Sequence, residues 1–536
     1  MFTTATLAAA LLMQTTNEIP RDLLTVAETS DYTATATSAQ VMDLIERIRQ
    51  RSNIMSVSEL GKTVEGKPIP LLTFANPPYA LPQSNDLAAS DARRDRPICF
   101  IMANIHAGEV EGKEACLMLA REIALDPNHP LLKDLIIVIA PNYNADGNDK
   151  FDDVAKNRPG QVGPAHCGIR PNSDGLDLNR DYMKLEAPET RALVRFLNDV
   201  DPDITIDCHT TNGSHHRYVL TYEAPLNPSG HAAPIEFVRE QLLPEVTRRV
   251  KQHTGYDMWH YGNFNPAHTI WETYSAQPRF GGPYQGLRNQ MSVLSEAYSY
   301  APYKDRVIAT REFIREILQY VAENKAKVID INRRARLETT RKGENPQPFD
   351  DVGIRHRIAA MSEPAIVKGY EGAEGGEGGA VADPNLDLGA PKNYSVVHLG
   401  RFEPTLSVRR PHAYLIPQGH SAIVEKLHQH GIVVKPFEGV ATAEAYTISA
   451  IHHAKREFQG HREVVLDVQA KRDRRTLPSG SFIVQTAQPL GTLAVYLLEP
   501  QSEDGLATWN FFDQSIEIGK EFPILCVQHA SDLELH

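Results

Sequence analysis

Two histidines and one glutamate have the types and spacing needed to hold a metal ion. His106 and Glu109 stand three positions apart, and His209 ends the segment Ile204–His209. Because His106 and Glu109 are three positions apart, an imidazole nitrogen and a carboxylate oxygen can converge on one cation. Two histidines and one carboxylate leave the fourth position of a tetrahedral zinc ion open, which is the arrangement of catalytic zinc sites. We therefore expect one zinc ion per chain that activates water for hydrolysis.

The predicted ligands follow near-continuous apolar runs, which are typical of strands covered on both faces. Residues 97–104 and 204–208 are two such runs, and residues 135–140 are a third. Apolar residues with helical periodicity occur around them, at 39–51, 111–124 and 187–199. Strands that alternate with helices predict an α/β fold with a mixed, mainly parallel central sheet and helices on both faces. In such sheets ligands bind at the carboxyl ends of the strands, where His106, Glu109 and His209 lie.

From about residue 30 to about residue 330, the sequence resembles the zinc carboxypeptidases of the carboxypeptidase A type. The resemblance rests on the His-x-x-Glu pair with its distant histidine and on three further segments. These are Glu59-Leu-Gly-Lys-Thr-Val-Glu-Gly-Lys-Pro-Ile69, Asn144-Ala-Asp-Gly147 and Gly175-Leu-Asp-Leu-Asn-Arg180. The resemblance implies the carboxypeptidase fold and gives His106, Glu109 and His209 as the zinc ligands.

The same resemblance implies roles for an asparagine and two arginines. Asn179 and Arg180 match the pair that holds the terminal carboxylate of the substrate. A guanidinium group suits that role, because it pairs with a carboxylate through two parallel hydrogen bonds. An arginine upstream is expected to stabilise the oxyanion. Its spacing favours Arg170, with Arg158 as the alternative.

The resemblance also implies a general base and a mobile tyrosine. Glu296, in the strand-like run Met291–Ala297, is expected to take a proton from the attacking water and pass it to the leaving amine. A tyrosine that closes over the substrate is expected upstream of this glutamate. Tyr274 has the matching spacing, and Tyr284 is the alternative.

Composition divides the chain into four parts. Residues 1–25 include the apolar run Thr6–Met13, which resembles part of an export signal but lacks a preceding positive charge. The predicted parts that follow are a catalytic domain at 26–335, a linker with a Gly/Glu-rich loop at 336–393 and a β-rich C-terminal domain at 394–536. We also expect a long helix at 304–335, a helix at 421–430, and strands at 481–486 and 492–498.

Charge and hydropathy exclude several classes of protein. The net charge of -13 over 536 residues argues against nucleic acid as a partner. No apolar stretch is long enough to span a membrane. The five cysteines are too sparse for a disulfide framework and lack the spacing of a structural zinc site. The expected partner is a peptide or acyl-amino-acid substrate, and the expected location is periplasmic or secreted, otherwise cytoplasmic. The oligomeric state is not indicated.

These observations predict a zinc metallocarboxypeptidase that hydrolyses C-terminal peptide bonds. One alternative is a zinc amidase or deacylase of the same fold, acting on acyl-amino acids or cell-wall peptides. A second is a non-catalytic binding protein on this fold. The resemblance also implies that residues 275–295 help to line the specificity pocket, and they contain Arg279 and Arg288 but no acidic residue. We therefore expect no preference for basic terminal residues, which leaves neutral and acidic ones open.

Overall fold

The computed structural model describes residues 19–76, 81, 95–372 and 388–535. The apolar run Thr6–Met13 and most of the Gly/Glu-rich segment therefore lie outside the described residues. Within the described ranges, no helix is both long enough and apolar enough to cross a bilayer. The five cysteines are buried and form no disulfide.

An eight-stranded mixed sheet carries the predicted metal ligands. In spatial order its strands are Met55–Lys62, Pro68–Phe74, Ile136–Ala140, Ile98–Ala103, Ile204–Thr211, Met291–Tyr298, Leu220–Glu223 and Met258–His260. The third to sixth strands of this order run parallel to one another, and antiparallel strands flank them. The parallel strands are apolar and almost wholly buried, because both faces of the sheet are covered. The predicted fold class is confirmed.

Helices pack on the first face of this sheet around one apolar cluster. They are Ser38–Arg49, Glu111–Leu125, Leu243–Thr254 and Tyr303–Glu323. A Cβ atom on Gly112 would lie only 2.6 Å from Cβ of Cys208. This glycine therefore lets the helix Glu111–Leu125 lie directly against the strand that carries His209.

The helix expected at 304–335 is two helices, Tyr303–Glu323 and Lys325–Glu344. Asn324 separates them, and its side-chain amide donates a hydrogen bond to the carbonyl of Tyr320 at 2.9 Å. Asparagine offers the backbone such local alternatives to a continuous helix, and periodicity alone does not detect them.

The second face of the sheet packs against the helices Pro188–Val200 and Gly281–Leu287 and against the C-terminal region. Phe100 and Leu193 from the first part of the chain share one apolar cluster with Tyr414 and Leu493 from the C-terminal region. The two regions therefore have a common hydrophobic core.

The C-terminal region is rich in β-structure, as predicted. A five-stranded antiparallel sheet contains Ala413–Ile416, Lys435–His453, Val464–Gln485, Leu525–Val527 and Leu533–Leu535. A two-stranded sheet pairs Asp351–Ala359 with Arg401–Arg409. A four-stranded sheet contains, in spatial order, Asn263–Phe264, Ile270–Glu272, Pro391–Leu399 and Ala365–Tyr370. The expected helix at 421–430 is Ser421–Gln429.

The strand expected at 492–498 is wrong, because these residues belong to the helix Gly491–Leu498. All eight residues of this helix are buried. A helix surrounded on all sides is apolar all round, so a short apolar run fits a buried helix as well as a buried strand.

The strands Lys435–His453 and Val464–Gln485 form one long hairpin. We call residues 454–463, which join these strands, the hairpin tip. The tip lies against the segment that carries Asn179 and Arg180, and the backbone N–H of Asp177 donates to the side-chain oxygen of Gln459 at 2.7 Å. The C-terminal region therefore reaches the edge of the large sheet where the predicted ligands lie.

Candidate active site

His106, Glu109 and His209 meet at the carboxyl ends of the central strands. Nδ1 of His106 lies 3.1 Å from Oε1 of Glu109, and Nδ1 of His209 lies 3.1 Å from Oε2 of the same carboxylate. The two Nδ1 atoms are 3.3 Å apart. All three side chains are buried, and one ligand atom from each lies within 4.8 Å of the others. Three donor atoms this close together can share one metal ion.

A tight turn after the strand Ile98–Ala103 aims His106 and Glu109 at this point. Asn104 begins the turn in the left-handed region, with φ of 68°, which asparagine tolerates better than most residues. Its side-chain amide donates to the side-chain oxygens of Asn142 at 2.7 Å and Asn148 at 3.1 Å. The N–H of Glu109 then donates to the carbonyl of His106 at 2.9 Å. The backbone of the turn is thus fixed by asparagine side chains.

On the side away from the shared centre, each imidazole contacts a carboxylate that sequence reasoning missed. Nε2 of His106 lies 2.9 Å from Oδ1 of Asp177, and Nε2 of His209 lies 3.0 Å from Oδ2 of Asp207. A carboxylate can only accept a hydrogen bond, so each Nε2 carries a proton, which leaves Nδ1 as the atom whose lone pair each imidazole would offer to a metal ion at the shared centre. Two imidazole lone pairs and one carboxylate directed at one point fit a divalent cation such as zinc.

Neighbouring charges determine how this centre titrates. Burial by itself would raise the pKa of Glu109, but His106 and Arg158 hold that pKa well below its usual range. Burial by itself would lower the pKa of His209, but Asp207 and Glu109 hold it well above its usual value. The carboxylate of Glu109 is therefore ionised at neutral pH and available as a metal ligand.

Glu296 lies beside the centre on the neighbouring strand. In the parallel register between Met291–Tyr298 and Ile204–Thr211, Glu296 pairs with His209. Its side chain lines the same cleft as His106 and Glu109. Among the described residues, no hydrogen bond or ion pair engages its carboxylate. Burial raises the pKa of Glu296 to about 8, against the opposing effects of His209 and Arg170. A cation at the centre would lower this pKa, because positive charge favours the carboxylate.

Asn179 and Arg180 also line the cleft. The side-chain oxygen of Asn179 accepts a hydrogen bond from the N–H of Gly281 at 2.9 Å. The guanidinium carbon of Arg180 lies 3.9 Å from the centre of the Phe280 ring. Arg180 also donates to the carbonyl of Asn179 at 2.7 Å. Arg180 is thus held in place and faces the cleft, where it can pair with a carboxylate.

Both candidates for the oxyanion-stabilising arginine contact the centre. Arg158 donates to Oε1 of Glu109 at 3.1 Å and to the carbonyl of Thr210 at 2.9 Å. Arg170 donates to the same oxygen of Glu109 at 3.4 Å and to Oδ2 of Asp177 at 2.9 Å. The side chain of Arg170 is 39% exposed and that of Arg158 is 11% exposed. Arg170 is therefore the more available of the two to a bound substrate.

The two tyrosine candidates occupy different environments. Tyr274 is half-buried and lines the cleft, and its ring centre lies 5.5 Å from those of Tyr261 and Phe280. Tyr284 is fully buried, and its hydroxyl lies 2.8 Å from Nδ1 of His430 in the C-terminal region. Tyr284 therefore belongs to the packing between the two regions, and of the two candidates it is Tyr274 that lines the cleft, together with Tyr261.

The cleft has a volume of about 460 Å³ and is lined mainly by polar residues near the strand ends. One wall contains Phe458, which comes from the hairpin tip. Sequence reasoning missed this residue, because nothing in the local pattern relates it to Asp177 or Arg180.

The basis of the expected side-chain preference does not hold in the structure. Arg279 forms ion pairs with Asp504 at 2.9 Å and Glu463 at 2.6 Å. Arg288 is buried and donates to the carbonyl of His430 at 3.1 Å. Among the described residues that line the cleft, neither arginine occurs. Asp207 does line it, and within the described part of the chain its Oδ1 atom has no hydrogen-bond partner.

Residues 41–263 match the peptidase family M14, described as zinc carboxypeptidase. Carboxypeptidase 2 of Trichophyton rubrum is 23% identical over 522 residues, which cover 92% of this chain and 87% of the relative. Carboxypeptidase D of Rattus norvegicus is 30% identical over 157 residues, which cover 26% of this chain and 11% of that protein.

Solved structures of low overall similarity include two carboxypeptidases. A metallo-carboxypeptidase from Burkholderia cenocepacia has a TM-score of 0.38 at 19% identity, covering 53% of this chain and 69% of that one. Carboxypeptidase A from Helicoverpa armigera has a TM-score of 0.38 at 16% identity, covering 55% of this chain and 74% of that one.

Proposed function

We propose that this chain is a hydrolase of the zinc carboxypeptidase family, which its residues 41–263 match, and that it removes single amino acids from the carboxyl ends of peptides. The proposal is supported by one observation. One cleft is lined by two residues of the three-ligand centre, His106 and Glu109, by the carboxylate of Glu296, which has no partner among the described residues, and by the guanidinium group of Arg180. The first two suit hydrolysis of an amide, and the third suits recognition of a free terminal carboxylate.

Zinc is the proposed metal, held by His106, Glu109 and His209. When bound there, zinc would supply Lewis-acid chemistry, which polarises an amide carbonyl and lowers the pKa of water. Asp177 and Asp207 would keep the two imidazoles in the tautomer that presents Nδ1 to the ion.

The remaining steps belong to side chains of this cleft. Glu296 would take a proton from the attacking water and deliver it to the leaving amine. Arg170 would face the oxyanion that develops on the carbonyl, with Arg158 beside it. Asn179 and Arg180 would hold the terminal carboxylate, and Tyr274 would close over the bound residue.

The wider proposal keeps the predicted organisation and location. The catalytic domain would extend over 26–335 and the C-terminal domain over 394–536, and the linker between them, at 336–393, would include the strands Asp351–Ala359 and Ala365–Tyr370. Export remains a prediction that rests on the apolar run Thr6–Met13 alone.

The direct test compares one peptide with a free and with an amidated carboxyl terminus. We expect release of the terminal residue from the free acid, and at least about 100-fold slower cleavage of the amide, because Arg180 loses its charged partner. Arg180→Gln should remove most of this difference by slowing cleavage of the free acid. Arg195→Gln, at an exposed position, is the matched control and should behave as the wild type.

Three outcomes would favour other functions. Equal cleavage of the free and amidated peptides would show that a free terminal carboxylate is not recognised, and it would contradict the proposed carboxypeptidase activity. Efficient hydrolysis of acyl-amino acids together with no activity on longer peptides would favour the amidase or deacylase alternative. A protein that binds zinc but hydrolyses neither substrate would support the non-catalytic alternative.

A further inference from the structure

The hairpin tip places an aromatic ring in the wall of the cleft. Phe458 packs partly against the apolar core shared by the two regions and partly lines the cleft that contains Arg180 and Phe280. A partly exposed phenylalanine in a substrate cleft offers apolar surface that a ligand can cover. In this respect the C-terminal region contributes to the cleft as well as to the fold.

The tip is anchored to the catalytic region by three residues that follow Phe458 in the chain. Gln459 accepts a hydrogen bond from the N–H of Asp177 at 2.7 Å, and Nε2 of His461 lies 2.9 Å from Oε1 of Glu186. Beyond the turn, Glu463 forms its ion pair with Arg279, whose guanidinium carbon lies 5.6 Å from the centre of the Phe458 ring. These contacts fix the position of the Phe458 ring relative to the cleft.

The tip turn itself is closed by backbone hydrogen bonds. Phe458 and His461 exchange N–H to carbonyl bonds of 2.8 and 3.0 Å. Gln459, between them, has φ of 52°, and its side chain points back to Asp177. Asp177 precedes Asn179 and Arg180 by two and three positions. A contact at Asp177 therefore acts on the segment that would hold the substrate carboxylate.

We propose that the hairpin tip is part of the substrate-binding site. Phe458 packs against the side chain of the terminal residue, and Gln459 positions the segment of Asp177, Asn179 and Arg180. This inference rests on the proposed function, because Arg180 must fix the terminal carboxylate for Phe458 to meet that residue. The consequence is a preference for large apolar terminal residues over alanine, since only the larger side chains cover the ring.

The test measures kcat and KM separately on peptides that end in Phe, Leu or Ala. Phe458→Ala should raise the KM for the Phe and Leu peptides by about tenfold, leave kcat within about threefold, and change the KM for the Ala peptide little. Phe458→Leu should restore most of the lost affinity. Gln459→Ala should raise the KM for all three peptides, because the carboxylate-binding segment is less well fixed.

Two controls separate substrate binding from stability. Phe349→Ala changes a phenylalanine that is 80% exposed, and Gln501→Ala changes a glutamine whose side chain donates to the carbonyl of Leu466. Both variants should keep the wild-type KM. An unchanged KM in Phe458→Ala would overturn the inference. So would an equal loss on all peptides accompanied by a lower unfolding temperature, since that is the signature of a structural role.

A binding measurement distinguishes failure of the inference from failure of the proposed function. Calorimetry with the dipeptide Gly-Phe should give about tenfold weaker binding to Phe458→Ala than to the wild type. If the wild type hydrolyses nothing but this difference remains, only the proposed function fails. If both proteins bind Gly-Phe equally, the role of Phe458 is excluded.

Discussion

The catalytic region and the C-terminal region both bury charged groups, but they surround them differently. Around the cleft, Glu109 and Asp177 are each engaged by an imidazole and an arginine, while the carboxylate of Glu296 faces the cleft without a partner in the described part of the chain. In the C-terminal region, Glu499 is buried beside the hydroxyl of Tyr414, which donates to it at 2.6 Å.

The difference shows what a raised pKa can mean. Burial raises the pKa of Glu296 to about 8 and that of Glu499 to about 7. Of the two, it is Glu296 that lines the cleft and lies beside the candidate metal-binding side chains. A perturbed pKa indicates function only when the group can reach a substrate, and otherwise it records the cost of burial.

The largest expected effect is on catalysis. Glu296→Gln should lower kcat by about 10³-fold, because the amide cannot accept and return the proton. The unfolding free energy and the zinc content should stay close to those of the wild type. Amino-acid release and metal analysis on the same preparation measure both. Glu272→Gln, at an exposed position, is the control. If Glu296→Gln kept wild-type activity, Glu296 could not be the base.

The next effect is on stability and its dependence on pH. The pKa of Glu499 is raised from 4.5 to about 7 by burial, so the folded state holds this proton more tightly than the unfolded state. The resulting stability is fully present below pH 4.5 and is lost as the pH rises through 7. In Glu499→Gln this loss is absent. Relative to the wild type, the variant should gain about 3 kcal/mol between pH 4.5 and pH 8.

Urea unfolding of both proteins at pH 5 and pH 8 measures this gain. The glutamine side chain introduced by Glu499→Gln keeps an oxygen that can accept from Tyr414, so the packing should change little. Glu517→Gln, at a side chain that is 65% exposed, should show no such pH dependence. Parallel pH profiles for Glu499→Gln and the wild type would contradict the assignment.

The smallest effect concerns the charge of the terminal residue. Since Arg279 and Arg288 are engaged away from the cleft and Asp207 lines it, we expect a peptide ending in Lys to be cleaved about tenfold more efficiently than one ending in Glu. Asp207→Asn should bring the kcat/KM values for the Lys and Glu peptides closer together. Because Asp207 also holds His209, the variant should slow both substrates, so the ratio of kcat/KM values is the informative quantity. Faster cleavage of the peptide that ends in Glu would contradict this prediction and agree with the sequence-based expectation of no preference for basic terminal residues.

Local patterns predicted the parts of the molecule that depend on nearby residues. The buried strands Ile98–Ala103 and Ile204–Thr211 follow from their apolar runs, and the position of His106 and His209 at their carboxyl ends follows from the parallel sheet. Glu296, the proposed general base, also lies on a predicted strand. Asp207 could have been found in the same way, because it stands two positions before His209 on one strand and therefore points to the same face.

Other features depend on contacts that no local pattern encodes. The run Thr492–Leu498 is equally compatible with a strand and a helix, and only the surroundings make it a helix. Arg279 and Arg288 could have lined the specificity pocket, but their contacts with Asp504 and His430 hold them away from the cleft. Those two partners are distant in the sequence, so no local pattern reveals them.

The sequence by itself determined the types of side chain, the strands that carry the metal-binding residues, and the expectation of a hydrolytic zinc centre. Only the tertiary structure decided which polar groups are engaged and which face the cleft. The hairpin tip is the clearest case, because Gln459 meets Asp177 across 282 positions of the chain. Periodicity and motifs report interactions over a few residues, whereas such long-range contacts are set by how the two regions pack on their shared core.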